Sequence, residues 1–421
     1  MTNQRSVSEL AQAAGRMANA GRWQEAEQLW REVRKLEPQH PQALFSLGFH
    51  ALQRGDITSA DELLRGARAV APADLLVLMT LGAACTQRGD AAAAREAIEA
   101  ALAVDAYFVP GLLAKGAWFE RFGSSVAAAN TYANALKVAP AREQWPAALR
   151  PQLEHARAVA DRHGRAYGQY LAEQVAELQA ALPAPVAARW REVVSIMAGL
   201  SKPFHSECNQ LHVPRLPEFQ FFERKYFPWI GGLESQTDVI RSELVSALER
   251  DGDRFKPYIA YNPGEPVNQW RELNHSPRWS TLALWRGGEP VHEIIERCPA
   301  TAQALGAVQM AEIGGLCPNA MFSALAPKTH IPPHHGETNA RLVAHLPLIV
   351  PDACRMRVGF EERPWKVGEV FVFDDTIEHE ARNDSDELRV VLIFDVWNPL
   401  LSPAERQMVQ VVTAAARTFD R

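Results

Sequence analysis

Small and bulky apolar residues return every 34 positions through the first third of the chain. Leu47-Gly48, Leu81-Gly82 and Lys115-Gly116 are each 34 apart, and Ala26, Ala60, Ala94 and Ala128 keep the same step. Trp30, Leu64, Ile98 and Tyr132 mark a large position in phase with them, and Pro38, Pro72 and Pro140 a terminator, where Ala106 stands in the third copy. This pattern predicts pairs of helices: the small residue lets two helices approach, the large one fills the groove, and proline ends the second helix. Beyond residue 205 the texture changes to clustered prolines and aromatics, such as Phe219-Gln220-Phe221-Phe222 and Tyr226-Phe227-Pro228-Trp229. After one more helix, Ser235 to Arg250, short strand-like runs follow: Phe322 to Leu325, Ala340 to Val350, Arg355 to Phe360, Glu369 to Phe373 and Leu388 to Trp397. Turn residues separate them, including Glu361-Glu362-Arg363-Pro364 and Asn383-Asp384-Ser385-Asp386. Such spacing predicts a double-sheet jelly roll or barrel with helices at its edges.

The N-terminal pattern resembles tetratricopeptide repeats, in four copies over residues 7–142. Each repeat residue is read first as packing, and function would come from the concave surface, which suits a peptide or protein partner. A further helical stretch from Gln144 to about Leu182 caps the array before Leu182-Pro183-Ala184-Pro185 breaks the pattern. The expected organisation is therefore multidomain: an all-α repeat solenoid over 7–142, a helical cap or linker over 143–204, and an α+β sheet domain over 205–421.

Composition adds limits. The 421 residues exceed one ordinary core, and 47% hydrophobic with 22% charged residues is the make-up of a soluble globular protein. A net charge of −6 without a long basic run argues against nucleic acid as the partner. The five cysteines form no C-x-x-C pair and no even disulfide framework, which fits a reducing compartment. The N-terminal residues carry no apolar signal core and no segment reaches about 18 consecutive apolar residues, so a cytoplasmic protein without a membrane segment is expected.

Five of the thirteen histidines, His330, His334, His335, His345 and His379, fall between 330 and 379. Histidine is the commonest neutral metal ligand. His334 precedes a strand and His379 follows one, so two strand ends brought together could hold one metal ion and leave positions open. Arg389 opens the apolar run Arg389-Val390-Val391-Leu392-Ile393-Phe394, and a buried arginine needs an anion. A dicarboxylate would supply one; an internal pair with Asp374, Asp375 or Asp395 is the alternative. Period-two alternation puts Arg341, Val343 and His345 on one strand face, where Arg341 either joins an anion-binding interior or meets solvent at an edge.

Phe322-Ser323-Ala324-Leu325, Thr329-His330, Pro333-His334 through Leu342, Phe373-Asp374-Asp375 through Glu380, and Asp395-Val396-Trp397-Asn398-Pro399 resemble the aspartyl/asparaginyl β-hydroxylase family over roughly 215–405. The resemblance implies a double-stranded β-helix oxygenase that uses Fe(II), 2-oxoglutarate and O2. It implies His334 and His379 as metal ligands, with Gly336 where other such enzymes carry a carboxylate, and Asp375 orienting a metal-bound water. It places Arg389 and Ser323 on the distal carboxylate of 2-oxoglutarate and His345 near its metal-side end. Val343 departs from the pattern, since animal members carry a second arginine there.

A rival register, His335-Gly336-Glu337 with His379, would form an ordinary triad of two histidines and one carboxylate; the flanking matches favour His334. The resemblance implies β-hydroxylation of Asp or Asn in a peptide or protein recruited by the repeats. Alternatives are a small acid or lipid-linked acyl chain as substrate, or a non-catalytic repeat scaffold with a degenerate oxygenase domain. A cupin-like enzyme would need a His-x-His pair, which is missing, and would leave Arg389 without a ligand.

Overall fold

A computed structural model describes residues 6–419. They divide into two compact units, the first ending at Lys202 and the second beginning at Pro203.

The first unit is helical. Antiparallel pairs α1 (Val7–Asn19) with α2 (Trp23–Leu36), α3 (Pro41–Gln53) with α4 (Ile57–Val70), α5 (Leu75–Arg88) with α6 (Ala91–Val104), and α7 (Val109–Phe122) with α8 (Ser125–Val138) carry the 34-residue step. Ala26, Ala60, Ala94 and Ala128 have no exposed surface, and Trp30, Leu64, Ile98 and Tyr132 are buried beside them. Leu64, Ile98 and Tyr132 each press on the glycine of the partner helix. A Cβ on Gly48 would lie 2.8 Å from Leu64, one on Gly82 3.3 Å from Ile98, and one on Gly116 2.3 Å from the Tyr132 ring. Asp56, Asp90 and Ser124, again 34 apart, cap the second helix of their pairs through the backbone N–H groups of Ser59, Ala93 and Ala127. The long α9 (Arg150–Ala180) follows; its Leu153, Ala156 and Val159 cover the apolar side of α8, and α10 (Ala184–Met197) packs on α9.

Gly116→Ala is expected to destabilise this unit by about 1–3 kcal/mol. The added methyl meets a ring that is buried and tied through its hydroxyl to Glu120 at 2.6 Å, so the ring has no free direction to yield. A lowered first transition in thermal unfolding of the full chain checks this.

The second unit is built on two antiparallel sheets. Its strands are β1 (Phe221–Phe222), β2 (Lys256–Pro257), β3 (Trp279–Arg286), β4 (Glu289–Pro290), β5 (Ala320–Leu325), β6 (Thr329–His334), β7 (Arg341–Ile349), β8 (Cys354–Val358), β9 (Glu361–Pro364), β10 (Phe371–Phe373), β11 (His379–Asn383) and β12 (Arg389–Trp397). The larger sheet runs β1-β10-β7-β12-β5-β3-β2, with β4 on β3; the smaller runs β6-β11-β8-β9. From β5 onward the chain passes back and forth between them. One core lies between the sheets, where Leu325, Val343, Phe373 and Val391 of the larger face Ile331, Met356, Val358 and Ala381 of the smaller. Helices α11 (Ile230–Glu234), α12 (Thr237–Arg250), α13 (His292–Arg297) and α14 (Pro299–Gly306) cover the other face of the larger sheet. Both faces of β7 and β12 are therefore buried, which explains why these strands read as apolar runs without alternation. A C-terminal helix, α15 (Pro403–Phe419), closes the unit.

Two sequence expectations need correction. Glu361-Glu362-Arg363-Pro364 is not a turn but β9, an edge strand paired with β8, where proline is tolerated because one side of the ladder is free. His334 does not precede a strand; it ends β6, whose Pro332 and Pro333 hid it.

Candidate active site

The pairing of β6 with β11 sets His334 directly opposite His379, and their rings stand 4.0 Å apart between centroids. In each, Nδ1 donates to a backbone carbonyl two residues back: Pro332 at 2.8 Å for His334 and Ile377 at 3.1 Å for His379. That bond fixes the tautomer and leaves the Nε2 lone pair available to a metal. Burial, reinforced by the neighbouring His379, pushes His334 down to about 3; burial likewise pushes His379 down to about 4. Both are neutral near pH 7, as ligation requires.

Free imidazole titrates near 6.5, so between about pH 4 and 6.5 the unfolded chain binds more protons than the folded one. Metal-free protein should therefore lose stability as pH falls through that window and be insensitive to these groups above it. Denaturant titrations at pH 7 and pH 5 check this, with the slope reduced in a His334→Gln/His379→Gln double variant.

Among the described residues, no group of three or more His, Cys, Asp or Glu is arranged to hold a metal ion. What lies next to the histidine pair is Gly336. A Cβ there would fall 2.1 Å from Oδ2 of Asp375, so the Asp375 carboxylate occupies the space that a side chain at 336 would need. Asp375 Oδ2 accepts from Arg341 at 2.6 Å, while Oδ1 is buried without a partner. Two neutral imidazoles with an unpartnered carboxylate oxygen fit an ion held by two protein ligands and completed by water.

Local hydrogen bonds hold this corner. Asp374 accepts from the backbone N–H and hydroxyl of Thr376, closing the turn into β11, and burial raises its carboxyl to about 6. A strap ahead of the sheets bonds both loops: Glu207 N–H donates to the Thr376 carbonyl, Asn209 N–H to Gly336, and the Asn209 amide to His335. His335 turns its Nδ1 to the Thr376 carbonyl at 2.9 Å, and Glu337 pairs with Arg341 at 3.0 Å. The rival triad of His335, Glu337 and His379 is not assembled.

Arg341 is buried, not at a solvent edge, and three carboxylates surround it: Asp375, Glu337 and Asp395, the last at 3.5 Å. Burial opposes its charge, but those acids hold it well above the usual arginine range. Its expected place beside a cosubstrate anion is therefore not the one its partners favour.

Arg389 is the opposite case. It is 1% exposed, yet among the described residues it makes no ion pair; Asp375 and Asp395 go to Arg341 instead, and Asp374 to Thr376. Its Nε has no partner, its guanidinium lies 4.5 Å from the centre of the Trp365 ring, and burial pushes it down to about 10. Ser323 on β5 lies near: its Oγ accepts from Trp279 Nε1 at 3.2 Å, leaving its hydroxyl proton to donate. The His345 ring accepts through Nδ1 from Trp365 Nε1 at 3.1 Å, and burial, then Arg389, lower its basicity well below normal. A neutral ring bonded that way carries its proton on Nε2, a donor suited to a carboxylate.

His334, His345, Ser323, Arg341, Asp375, His379 and Arg389 all line one cavity of about 860 Å³. The sequence reading missed the aromatics: Trp279 on Ser323 and Trp270, with its ring 5.0 Å from His334, line the cavity, and Trp365 is buried against His345 and Arg389. The run Trp279-Ser280-Thr281-Leu282-Ala283-Leu284-Trp285 was the available signal, since it has the composition of a buried strand.

Comparison with known proteins gives the class as a family: residues 234–399 match the family model described as Aspartyl/Asparaginyl beta-hydroxylase. The chain is 31% identical over 192 residues to the aspartyl/asparaginyl beta-hydroxylase of Mus musculus, covering 45% of this chain and 24% of that protein. It is 35% identical over 202 residues to the ornithine lipid ester-linked acyl 2-hydroxylase of Rhizobium tropici, covering 47% of this chain and 68% of that protein. Human aspartate beta-hydroxylase domain-containing protein 2 is 35% identical over 222 residues, covering 52% and 58%. The chain belongs to the aspartyl/asparaginyl β-hydroxylase family, and the match spans about a quarter of the length of the mouse relative.

Proposed function

We propose that the second unit is a double-stranded β-helix dioxygenase that uses Fe(II), O2 and 2-oxoglutarate to hydroxylate a C–H bond. The observation that carries this reading is one cavity holding two facing neutral histidines and a buried arginine without an acidic partner among the described residues. Fe(II) bound by His334 and His379 supplies the oxidising chemistry by which 2-oxoglutarate and O2 give succinate, carbon dioxide and a hydroxylated product. Asp375 Oδ1 accepts from water beside the two imidazoles, and Arg341 holds that carboxylate in place. Arg389 and Ser323 bind the distal carboxylate of 2-oxoglutarate, and His345 donates from Nε2 to its other end. Trp270, Trp279 and Trp365 pack against these polar groups and keep water from them, which strengthens each contact.

For the substrate we propose the β-carbon of Asp or Asn in a peptide or protein recruited by the repeats, in the cytoplasm. Among the described residues no helix is long and apolar enough to cross a membrane. A second reading, an acyl chain as substrate, is favoured by the Rhizobium tropici relative, and by Val343 on the cavity wall, an apolar side chain with no donor to offer a substrate carboxylate.

Anaerobic addition of Fe(II) and then 2-oxoglutarate should produce a weak visible charge-transfer band, and admitting O2 should release succinate above the enzyme-free control. Absence of both would sink the oxygenase reading and leave a repeat scaffold. Incubation with an aspartyl peptide library, scored for a mass gain of one oxygen, separates the two substrate readings.

A further inference from the structure

The same cavity carries positive charge that the reading above does not use. Lys256, Arg286 and Arg417 line it together with Gly287 and Gly315. Lys256 pairs directly across β2 and β3 with Thr281, so both side chains share the face turned to the cavity. Arg286 ends β3, is exposed and, among the described residues, has no side-chain hydrogen bond or ion pair. Arg417 arrives from α15 and donates to the carbonyls of Gly314 and Gly315 at 2.8 and 2.6 Å, while Lys256 donates to the Asp253 carbonyl at 2.9 Å. These neutral acceptors aim the cations without compensating their charge.

The glycines make the arrangement possible. A Cβ on Gly315 would lie 1.3 Å from Arg417 Nη1, and one on Gly287 would lie 3.4 Å from the Gly315 carbonyl oxygen. The guanidinium of Arg417 thus fits only because residue 315 has no side chain, and the loop holding it adjoins the end of β3. Elsewhere in the cavity Arg341 is matched by three acids, so the two regions differ in kind. The cosubstrate anchor is separate from Arg286, though not from Lys256, whose partner Thr281 stands opposite Ser323. Arg389 and Trp279 flank Leu325 in the sheet register, and Arg286 lies at the far end of β3 from Trp279, roughly 20 Å away at strand spacing.

We infer that Arg286 and Arg417 form a subsite for an anionic oxygen group, phosphate or carboxylate, on the substrate, remote from the carbon that reacts. This rests on the cavity being the active site. Two cations without acidic partners among the described residues, brought together where Gly287 adjoins Gly315, favour a ligand that brings its own negative charge.

The test uses the full chain, anaerobic and saturated with 2-oxoglutarate so that Arg389 is occupied, and titrates inorganic phosphate by calorimetry. Arg286→Gln, which breaks no bond in the structure, should weaken phosphate binding about tenfold, the value of one charge-assisted contact. Arg286→Gln/Arg417→Gln should weaken it further, with 2-oxoglutarate affinity unchanged in both. Parallel sedimentation with phosphatidylglycerol and phosphatidylcholine vesicles separates the sources: retention on the anionic vesicles alone, lost in Arg286→Gln, assigns a lipid headgroup, and phosphate binding without retention assigns a soluble substrate. Phosphate and vesicle binding that are absent, or unchanged by Arg286→Gln, overturn the subsite. Failure of 2-oxoglutarate to bind would instead strike the functional reading, and the phosphate comparison would still stand by itself.

Discussion

His379→Ala is expected to lower succinate formation from 2-oxoglutarate by roughly three orders of magnitude or more and to remove stoichiometric Fe(II) binding. Among the described residues His334 and His379 are the two side chains in place to hold the ion, so losing one leaves a single imidazole, and Asp375 is already engaged by Arg341. Glu337→Ala is the matching control. Its carboxylate bonds Arg341 and points to no histidine, and Arg341 keeps Asp375 and Asp395 when it is gone. Iron content and succinate formation should then stay within about threefold of the parent. Loss of iron in Glu337→Ala, or retained turnover in His379→Ala, would contradict the assignment of His334 and His379 as the pair. Both variants should be compared for unfolding transitions, because a fold defect would depress activity without any change of ligand.

The contrast between these two residues also shows what could be read along the chain. The repeats were legible because each helix pair buries the same small and large residues at a fixed step, down to Gly116 against Tyr132. His334, His379 and Arg389 were legible because their types and order are unusual in an apolar, strand-rich stretch. The partition of charge was not. Whether Asp375 and Asp395 neutralise Arg341 or Arg389 depends on which strand lies beside which, and β7 pairs with β12 so that Arg341 stands opposite Trp397 and Asp395 opposite Val343. That register arises from contacts between residues about 50 apart, which no local pattern encodes. The same is true of Trp365, whose N–H sets the tautomer of His345 while its ring faces Arg389.

Arg389→Met is expected to raise the stability of the ligand-free protein by about 1–3 kcal/mol while weakening 2-oxoglutarate binding by about two orders of magnitude or more. A guanidinium buried to 1% exposure with an unpartnered Nε costs desolvation that the ring of Trp365 only partly offsets, and the downward push on its basicity reports the same cost. Methionine has a similar length, fills the same space between the sheets and brings no charge to desolvate. The carboxylate of 2-oxoglutarate, however, would then meet Ser323 and no cation. Thermal melts without ligand and calorimetric titration with 2-oxoglutarate read the two effects separately. Arg341→Met supplies the counter-case: it would strip Asp375 and Asp395 of their shared partner and leave buried carboxylates uncompensated, so stability should fall by about 3–5 kcal/mol. Opposite signs for two buried arginines in one cavity would mark Arg389 as the residue that waits for an anion from outside. Equal destabilisation by both, with 2-oxoglutarate affinity kept in Arg389→Met, would make Arg389 a structural residue and move the cosubstrate elsewhere.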